Sequence, residues 1–355
     1  MPLGEREGPV VGTYRAPLIL GLYADSPPTP PYGRDEVQTE FFDGPNSRNI
    51  TITEFYSELS NGRVTLLGET FGWARSALSE QQVAGNSNGL DSSGRVGDFI
   101  LEVLGALDDG SIDWGRYDND GPDGVPNSGD DDGFVDVLAV MHPTSGAECG
   151  GNNSHVWSHK WTLTAAAGRV YVTSTESADG GRILIDDYTI QPVLNCAGTE
   201  INEIGVFAHE LGHGFGLPDL YAVNGDHAGI GRWGLMGSGS WGCGGLGSGP
   251  DKPCHMSAWS KVELGWSDVV ELPFGADHGT VTLDPVESGG AVLKVPAGDG
   301  SRDYYLLEFR DRVGTDVTLP EPGVLIWQID QDQLDATWFR NNVNTDPNRM
   351  GVWLR

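Results

Sequence analysis

The eleven residues HELGHGFGLPD, running from His209 to Asp219, hold two imidazoles four positions apart, a carboxylate beside the first, and a second carboxylate beyond a glycine and a proline. On a helix, positions i and i+4 lie one above the other on the same face, so His209 and His213 can meet a single zinc ion. Glu210 falls about 100° further round the helix, over the open side of such a metal, where it can act as a base rather than a ligand. Gly216 permits the sharp turn that breaks the helix and Pro218 forbids its continuation, which returns Asp219 as a third ligand. Three protein ligands and one open position are the pattern of catalytic zinc, whereas structural zinc is closed by four. Zinc lowers the pKa of water towards about 7, after which a carboxylate suffices as base and can pass the proton to a leaving amine. A bare HExxH also arises on ordinary surface helices. The extended form, entered by the apolar run IGVFA and ended by Gly and Pro, is far more selective.

Positioning such a set requires a helix with an apolar underside, and Ile204, Phe207, Leu211 and Phe215 supply that stripe. Upstream, APLILGLYA predicts a buried strand. ITITEFYSELSNGRVTLLGETFGWA predicts a helix, a turn at Asn61-Gly62 and a strand. GDFILEVLGALDD predicts a helix and FVDVLAVMHP a strand buried on both faces. The glycine-rich stretch NGDHAGIGRWGLMGSGSWGCGGLGSGP excludes long regular structure, and MSAWSKVELGW reads as one more short helix. From about Ser267 helical patterns vanish. HGTVTLDPV, AVLKVPA, DYYLLEFR and GVLIWQID read as short strands, and the chain stops at GVWLR inside another, which suggests a fragment of a longer protein.

The run YDNDGPDGVPNSGDDDGFVD offers Asp118, Asp120, Asp123, Asp130, Asp132 and Asp136 among glycines, the composition of a calcium loop. Asp130, Asp132 and Asp136 keep a 1, 3, 7 spacing with Gly133 at the bend, although the order is not that of an EF-hand. The expectation is structural calcium; a solvated acidic loop is the bland alternative. Four cysteines form no CxxC pair. Cys243–Cys254, closing a short glycine-rich loop, and Cys149–Cys196 are the favoured disulfides, against four free buried thiols. With 51 acidic and 21 basic residues the net charge is −30, which disfavours nucleic acid and anionic membranes as partners. No apolar run is long enough to span a bilayer. The start, MPLGEREGPVVGTYR, lacks the layout of a secretory signal, which leaves an intracellular protein or a chain trimmed before this point.

The zinc motif resembles that of the metzincin clan of peptidases, and Met236, in GRWGLMGSGSW, matches the methionine of the clan's tight turn beneath the metal. Within the clan the chain is similar to the M6 family, the immune inhibitor A-type peptidases, through FYSELSNGRVTLLG, YDND…DDDGFVDVLAVMH, GAE with VWSHKW, IGVFAHELGHGFGLPDLY, SAWSKVELGW and YYLLEFR…GVLIWQID. The resemblance implies a secreted bacterial zinc endopeptidase stabilised by calcium, acting on protein or peptide substrates. It makes His209, His213 and Asp219 ligands, Glu210 the base and Met236 the turn methionine. Where several members carry an oxyanion-stabilising tyrosine two residues past that methionine, this chain has Ser238, and Tyr221 becomes the nearest aromatic candidate. Glu263, on a later helix, is the rival third ligand.

The expected fold class is α+β. A zincin-like catalytic domain over residues 1–266, with a mixed twisted sheet and an active-site helix, precedes the start of a β-sandwich-like domain over 267–355. A catalytically dead zincin scaffold serving as a calcium-dependent binding or adhesion protein is the competing class, and a zinc hydrolase of some other bond a third. His155 and His159, also four apart, read as a loop or strand rather than a second metal pair. The sequons at Asn49 and Asn152 need a eukaryotic secretory route, which the resemblance does not suggest. Oligomeric state has no signature in the sequence.

Overall fold

The computed structural model describes residues 8–44, 46–150, 154–244 and 249–355. Asn152 therefore lies outside the described residues, as do residues 1–7, at the start of the chain, and 245–248 within the glycine-rich stretch. The chain divides into two compact units, and the fold is mixed α/β.

One unit comprises Thr13–Thr53 and Leu66–Glu203. Its main sheet is built from β1 (Gly12–Leu22), β2 (Val64–Arg75), β3 (Leu138–Ser145), β4 (His159–Thr162) and β7 (Asp187–Leu194), in the order β2-β1-β3-β7-β4, while β5 (Tyr171–Glu176) and β6 (Arg182–Ile185) form a separate hairpin pair. β1, β3 and β7 run parallel, with Leu20 opposite Met141 and Val140 opposite Ile190; β4 closes the edge antiparallel to β7. Parallel strands covered on both faces must be apolar throughout, and the burial of Leu18, Ile19, Leu20, Leu138, Val140 and Ile190 follows from that. Helix Val96–Leu107 buries Phe99, Ile100, Val103 and Leu104 in the same core. The predicted turn is present too: Asn61 and Gly62 both take positive φ between helix Ile52–Leu59 and β2.

The other unit comprises residues up to Gly12, Glu54–Thr65 and Ile204–Arg355. It carries helix Ile204–Gly214, helix Ala258–Glu263 and a second mixed sheet of β8 (Val269–Glu271), β9 (Val292–Pro296), β10 (Tyr304–Arg310), β11 (Gly323–Ile329) and β12 (Val352–Leu354), ordered β12-β11-β10-β9-β8. Two expectations for this stretch are corrected. HGTVTLDPV is not a strand: its one bridge is the isolated parallel pair Pro285–Phe309, while β9 takes β8 as its other neighbour, pairing Val269 with Val292 in parallel. Helical structure also does not vanish after Ser267: Gln331–Thr337 is a helix, started by the Asp330 carboxylate, which accepts from the Gln333 N–H at 2.8 Å. Both favoured disulfides are formed, Cys149–Cys196 and Cys243–Cys254. Among the described residues no helix is long and apolar enough to cross a membrane.

Candidate metal centre

Helix Ile204–Gly214 is buried along almost its whole length. Ile204, Phe207 and Leu211 are at most 2 % exposed, and Phe215 meets the rings of Tyr56 and Trp266 at 5.3 and 5.9 Å. The Tyr56 hydroxyl donates to the Ala208 carbonyl at 2.6 Å, pinning the turn that precedes His209. The helix then ends as the sequence requires. Gly216 takes φ +90, its N–H donates to the His213 carbonyl, and the Leu217 N–H reaches back to the Gly212 carbonyl. This is a Schellman stop, and it turns the chain so that Asp219 faces the helix it has just left.

The two imidazoles lie with ring centroids 4.8 Å apart and nearly perpendicular. Each is held from behind by a carbonyl. His209 Nδ1 donates to the Leu235 oxygen at 2.9 Å and His213 Nδ1 to the Leu217 oxygen at 2.7 Å. A carbonyl only accepts, so Nδ1 carries the hydrogen in both rings and, in the neutral form, Nε2 presents a lone pair. Both Nε2 atoms point at one oxygen, Asp219 Oδ1, at 3.1 and 3.3 Å. Three acceptor atoms thus converge on one point, an arrangement that could hold a cation. Burial opposes the charging of His209, but the hydrogen bond and charge of Asp219 outweigh it and raise its pKa to about 9. Burial likewise works against an ionised Asp219, and the two histidines overcome it, holding the carboxyl well below its usual range. Two oriented imidazoles and a carboxylate make a donor set suited to a divalent metal.

Under the pair, Gly212 makes room for a sulfur. A Cβ added there would come within 2.5 Å of Met236 Sδ, and Met236 is fully buried. The same turn supplies two main-chain supports: the Leu235 carbonyl holds His209, and the Met236 carbonyl accepts from the Leu220 N–H at 2.8 Å. Glu210 is buried beside the pair, and its charge is felt by His209, Tyr221 and Tyr56. Tyr221 stacks on His209, with centroids 6.2 Å apart. Burial first, then the charges of Asp219 and Glu210, keep its hydroxyl protonated far above the ordinary tyrosine range. Glu263 stands at the exposed end of helix Ala258–Glu263 and is not part of the group.

With that geometry in place the relatives become informative. The family model of the immune inhibitor A peptidase M6 catalytic domain matches residues 34–267. The chain belongs to that family. Among curated relatives it is 31% identical over 238 residues to the pre-pro-metalloprotease PrtV of Vibrio cholerae, covering 63% of this chain and 24% of that protein. It is 30% identical over 245 residues to immune inhibitor A of Bacillus thuringiensis subsp. alesti, covering 64% and 34%. The chain therefore spans about a quarter to a third of the curated relatives it matches. As a member of a metallopeptidase family it is expected to carry a metal.

In this M6 chain the acidic loop lies in the other unit. Asp118, Asp120 and Asp132 bring carboxylate oxygens within 4.8 Å of one another. Asp118 is 1 % exposed, and neither of its oxygens makes a regular hydrogen bond, with the Gly133 N–H giving it only weak support. Burial, then the charges of Asp131, Asp132 and Asp120, raises its pKa to about 7. The other candidates carry hydrogen bonds within the loop. Asp123 accepts from the Val125 N–H, Asp130 from Ser128 Oγ and the Asp123 N–H, and Asp136 from the Asn119 N–H. Gly133 makes the expected bend at φ +80. His155 and His159 do not converge: His155 bonds Glu80, and His159, on β4, bonds the Trp157 carbonyl.

Sequence reasoning missed the partners of Asp219. Asn341 accepts from its N–H at 2.6 Å and donates to its Oδ2 at 2.7 Å. These two residues are 122 positions apart, and no local pattern in RNNVNTDPN announces the contact.

Proposed function

We propose that this chain is a zinc-dependent endopeptidase that hydrolyses peptide bonds in proteins. The observation that carries the reading is the convergence of two Nε2 lone pairs and one carboxylate oxygen, each oriented by a separate contact on its far side. His209, His213 and Asp219 would hold the metal. When bound, zinc supplies Lewis acidity to water and to the scissile carbonyl. Glu210, next to His209 yet outside the ligand set, takes the proton from the attacking water and delivers it to the departing amine. Tyr221, kept protonated beside the pair, offers a hydroxyl to charge that develops on the carbonyl oxygen. Met236 under Gly212 and the turn it belongs to support a zincin-like fold of the metzincin kind, with residues 1–266 as the catalytic domain and 267–355 as a β-rich successor. The inactive-scaffold alternative would need a missing ligand or base, and the chain retains all of them.

The test pairs composition with activity. Purified protein should contain about one zinc per chain and clear casein or gelatin, and a zinc chelator should abolish clearing until zinc is restored. Zinc bound without any clearing points to the inactive scaffold.

Calcium is the second part of the reading, supported by Asp118, whose buried carboxylate makes no regular hydrogen bond and stands beside two like charges. Saturating calcium should raise the melting temperature by about 5–10 °C, by ordinary mass-action stabilisation of a domain this size. Asp118→Asn should remove that response and, without calcium, melt no lower than the parent because one repulsive charge has gone. An Asp118→Asn protein that still responds fully to calcium would dismiss the site. Two disulfides and the strongly acidic surface fit a secreted protein.

A further inference from the structure

Asp219 differs from the two histidines in where its support comes from. His209 and His213 are held by carbonyls at Leu235 and Leu217. Asp219 is held by a segment more than a hundred residues later in the chain, beyond the region the family model matches. Three side chains of that segment reach the turn Gly216–Leu220. Trp338 Nε1 donates to the Gly216 carbonyl at 2.9 Å, Asn341 bonds Asp219 twice, and Asn344 Nδ2 donates to the Leu220 carbonyl at 2.9 Å. Two of the braces are themselves fixed. The Trp338 ring packs 5.0 Å from that of the buried Trp259. Asn344, fully buried, exchanges two further bonds with the main chain of Val352 on β12.

The amide of Asn341 has one possible orientation here, since a main-chain N–H only donates and a carboxylate only accepts. Its oxygen takes the Asp219 N–H and its nitrogen takes Oδ2, closing a ring that fixes the Asp219 side chain relative to its own backbone. Oδ2 is thereby occupied, and Oδ1 is left to face the two Nε2 atoms. Asn341 adopts φ +55 to do this, a left-handed conformation that asparagine tolerates better than most residues.

We propose that Asn341 is a positioning residue for the third metal ligand, so that the affinity of the His209–His213–Asp219 site is set in part by the segment Trp338–Asn344. This rests on the ligand reading given above. Partners that orient a ligand typically change metal affinity 10–100-fold when removed.

The test uses the full chain with three substitutions. Asn341→Gly deletes the amide and keeps the left-handed backbone free of strain. Asn341→Asp keeps the shape and the acceptor for the Asp219 N–H, but replaces the donor to Oδ2 with a carboxylate. Asp219→Ala is the control for the ligand itself. Zinc dissociation constants come from competition with a chromophoric chelator, and the visible spectrum of the cobalt(II)-loaded protein reports ligand geometry without any activity assay. Both Asn341 variants should bind zinc about 10–100-fold more weakly and shift the cobalt bands, with the Asp variant, read at a pH where its carboxyl is ionised, deciding the matter if the Gly variant is unstable. Unchanged zinc affinity and cobalt spectrum in the Asn341 variants, beside a weakened Asp219→Ala, overturn the positioning role alone. An unweakened Asp219→Ala overturns the ligand assignment and the positioning role with it.

Discussion

Glu210→Gln is expected to bind zinc as the parent does and to lose peptide hydrolysis by about 10²–10⁴-fold, the usual worth of a positioned general acid–base. Glutamine matches glutamate in shape and leaves His209, His213 and Asp219 untouched, so metal content should not move. It cannot accept a proton, and the two transfers that depend on that carboxylate are lost together. A thousandfold drop corresponds to about 4 kcal/mol of transition-state stabilisation, while the KM for a peptide should change little because Glu210 is not asked to bind the ground state. Zinc analysis and steady-state kinetics on one preparation separate the outcomes. Loss of zinc would mean that Glu210 shapes the ligand set, and near-parental turnover would remove it from the base role.

The local half of this site was legible and the remote half was not. The spacing of His209 and His213, the apolar stripe beneath them and the glycine–proline stop are properties of one helix and its exit. All of them appear as read, down to the positive φ at Gly216. The same holds for Asn61-Gly62 and for the short Cys243–Cys254 loop. What was not legible depends on partners distant in the chain. HGTVTLDPV alternates like a strand, but a strand needs a neighbour along its length, and this segment meets one only at the isolated pair Pro285–Phe309. In the acidic loop, composition named all three carboxylates that the folded chain gathers, Asp118, Asp120 and Asp132, whereas spacing alone singled out Asp132 with Asp130 and Asp136, and Asp130 accepts from Ser128. Asn341 lies in a stretch whose composition says only turn, and its meaning comes from a residue far away in the chain. Period and propensity record what a segment prefers. They do not record which partner reaches it first.

The alternation along β10 points to the most costly single change to stability. Tyr304, Leu306, Glu308 and Arg310 all face inward, so two charged groups stand where apolar ones are the rule. Arg310 is 1 % exposed and bonds Glu287 Oε1 at 2.9 Å and Asp316 Oδ2 at 2.7 Å, with Glu308 at 3.5 Å. Burial disfavours every one of these charges. Arg310 nevertheless stays charged and holds the Asp316 carboxyl down, while Glu287 and Glu308 are pushed up by burial. Arg310→Met should therefore cost about 3–5 kcal/mol, because it strands a buried carboxylate rather than merely deleting an attraction. The urea midpoint followed by tryptophan fluorescence reads this directly. Adding Asp316→Asn to Arg310→Met should recover part of the loss, since the stranded charge goes with it. The consequence reaches His209 through the backbone. Asp316 accepts from the His255 N–H at 2.9 Å, the His255 carbonyl accepts from the Leu235 N–H, and the Leu235 carbonyl holds His209. Zinc affinity should accordingly fall in Arg310→Met at urea concentrations well below its unfolding midpoint. An unchanged midpoint would show that the cluster is tolerated rather than needed, and would detach His209 from it.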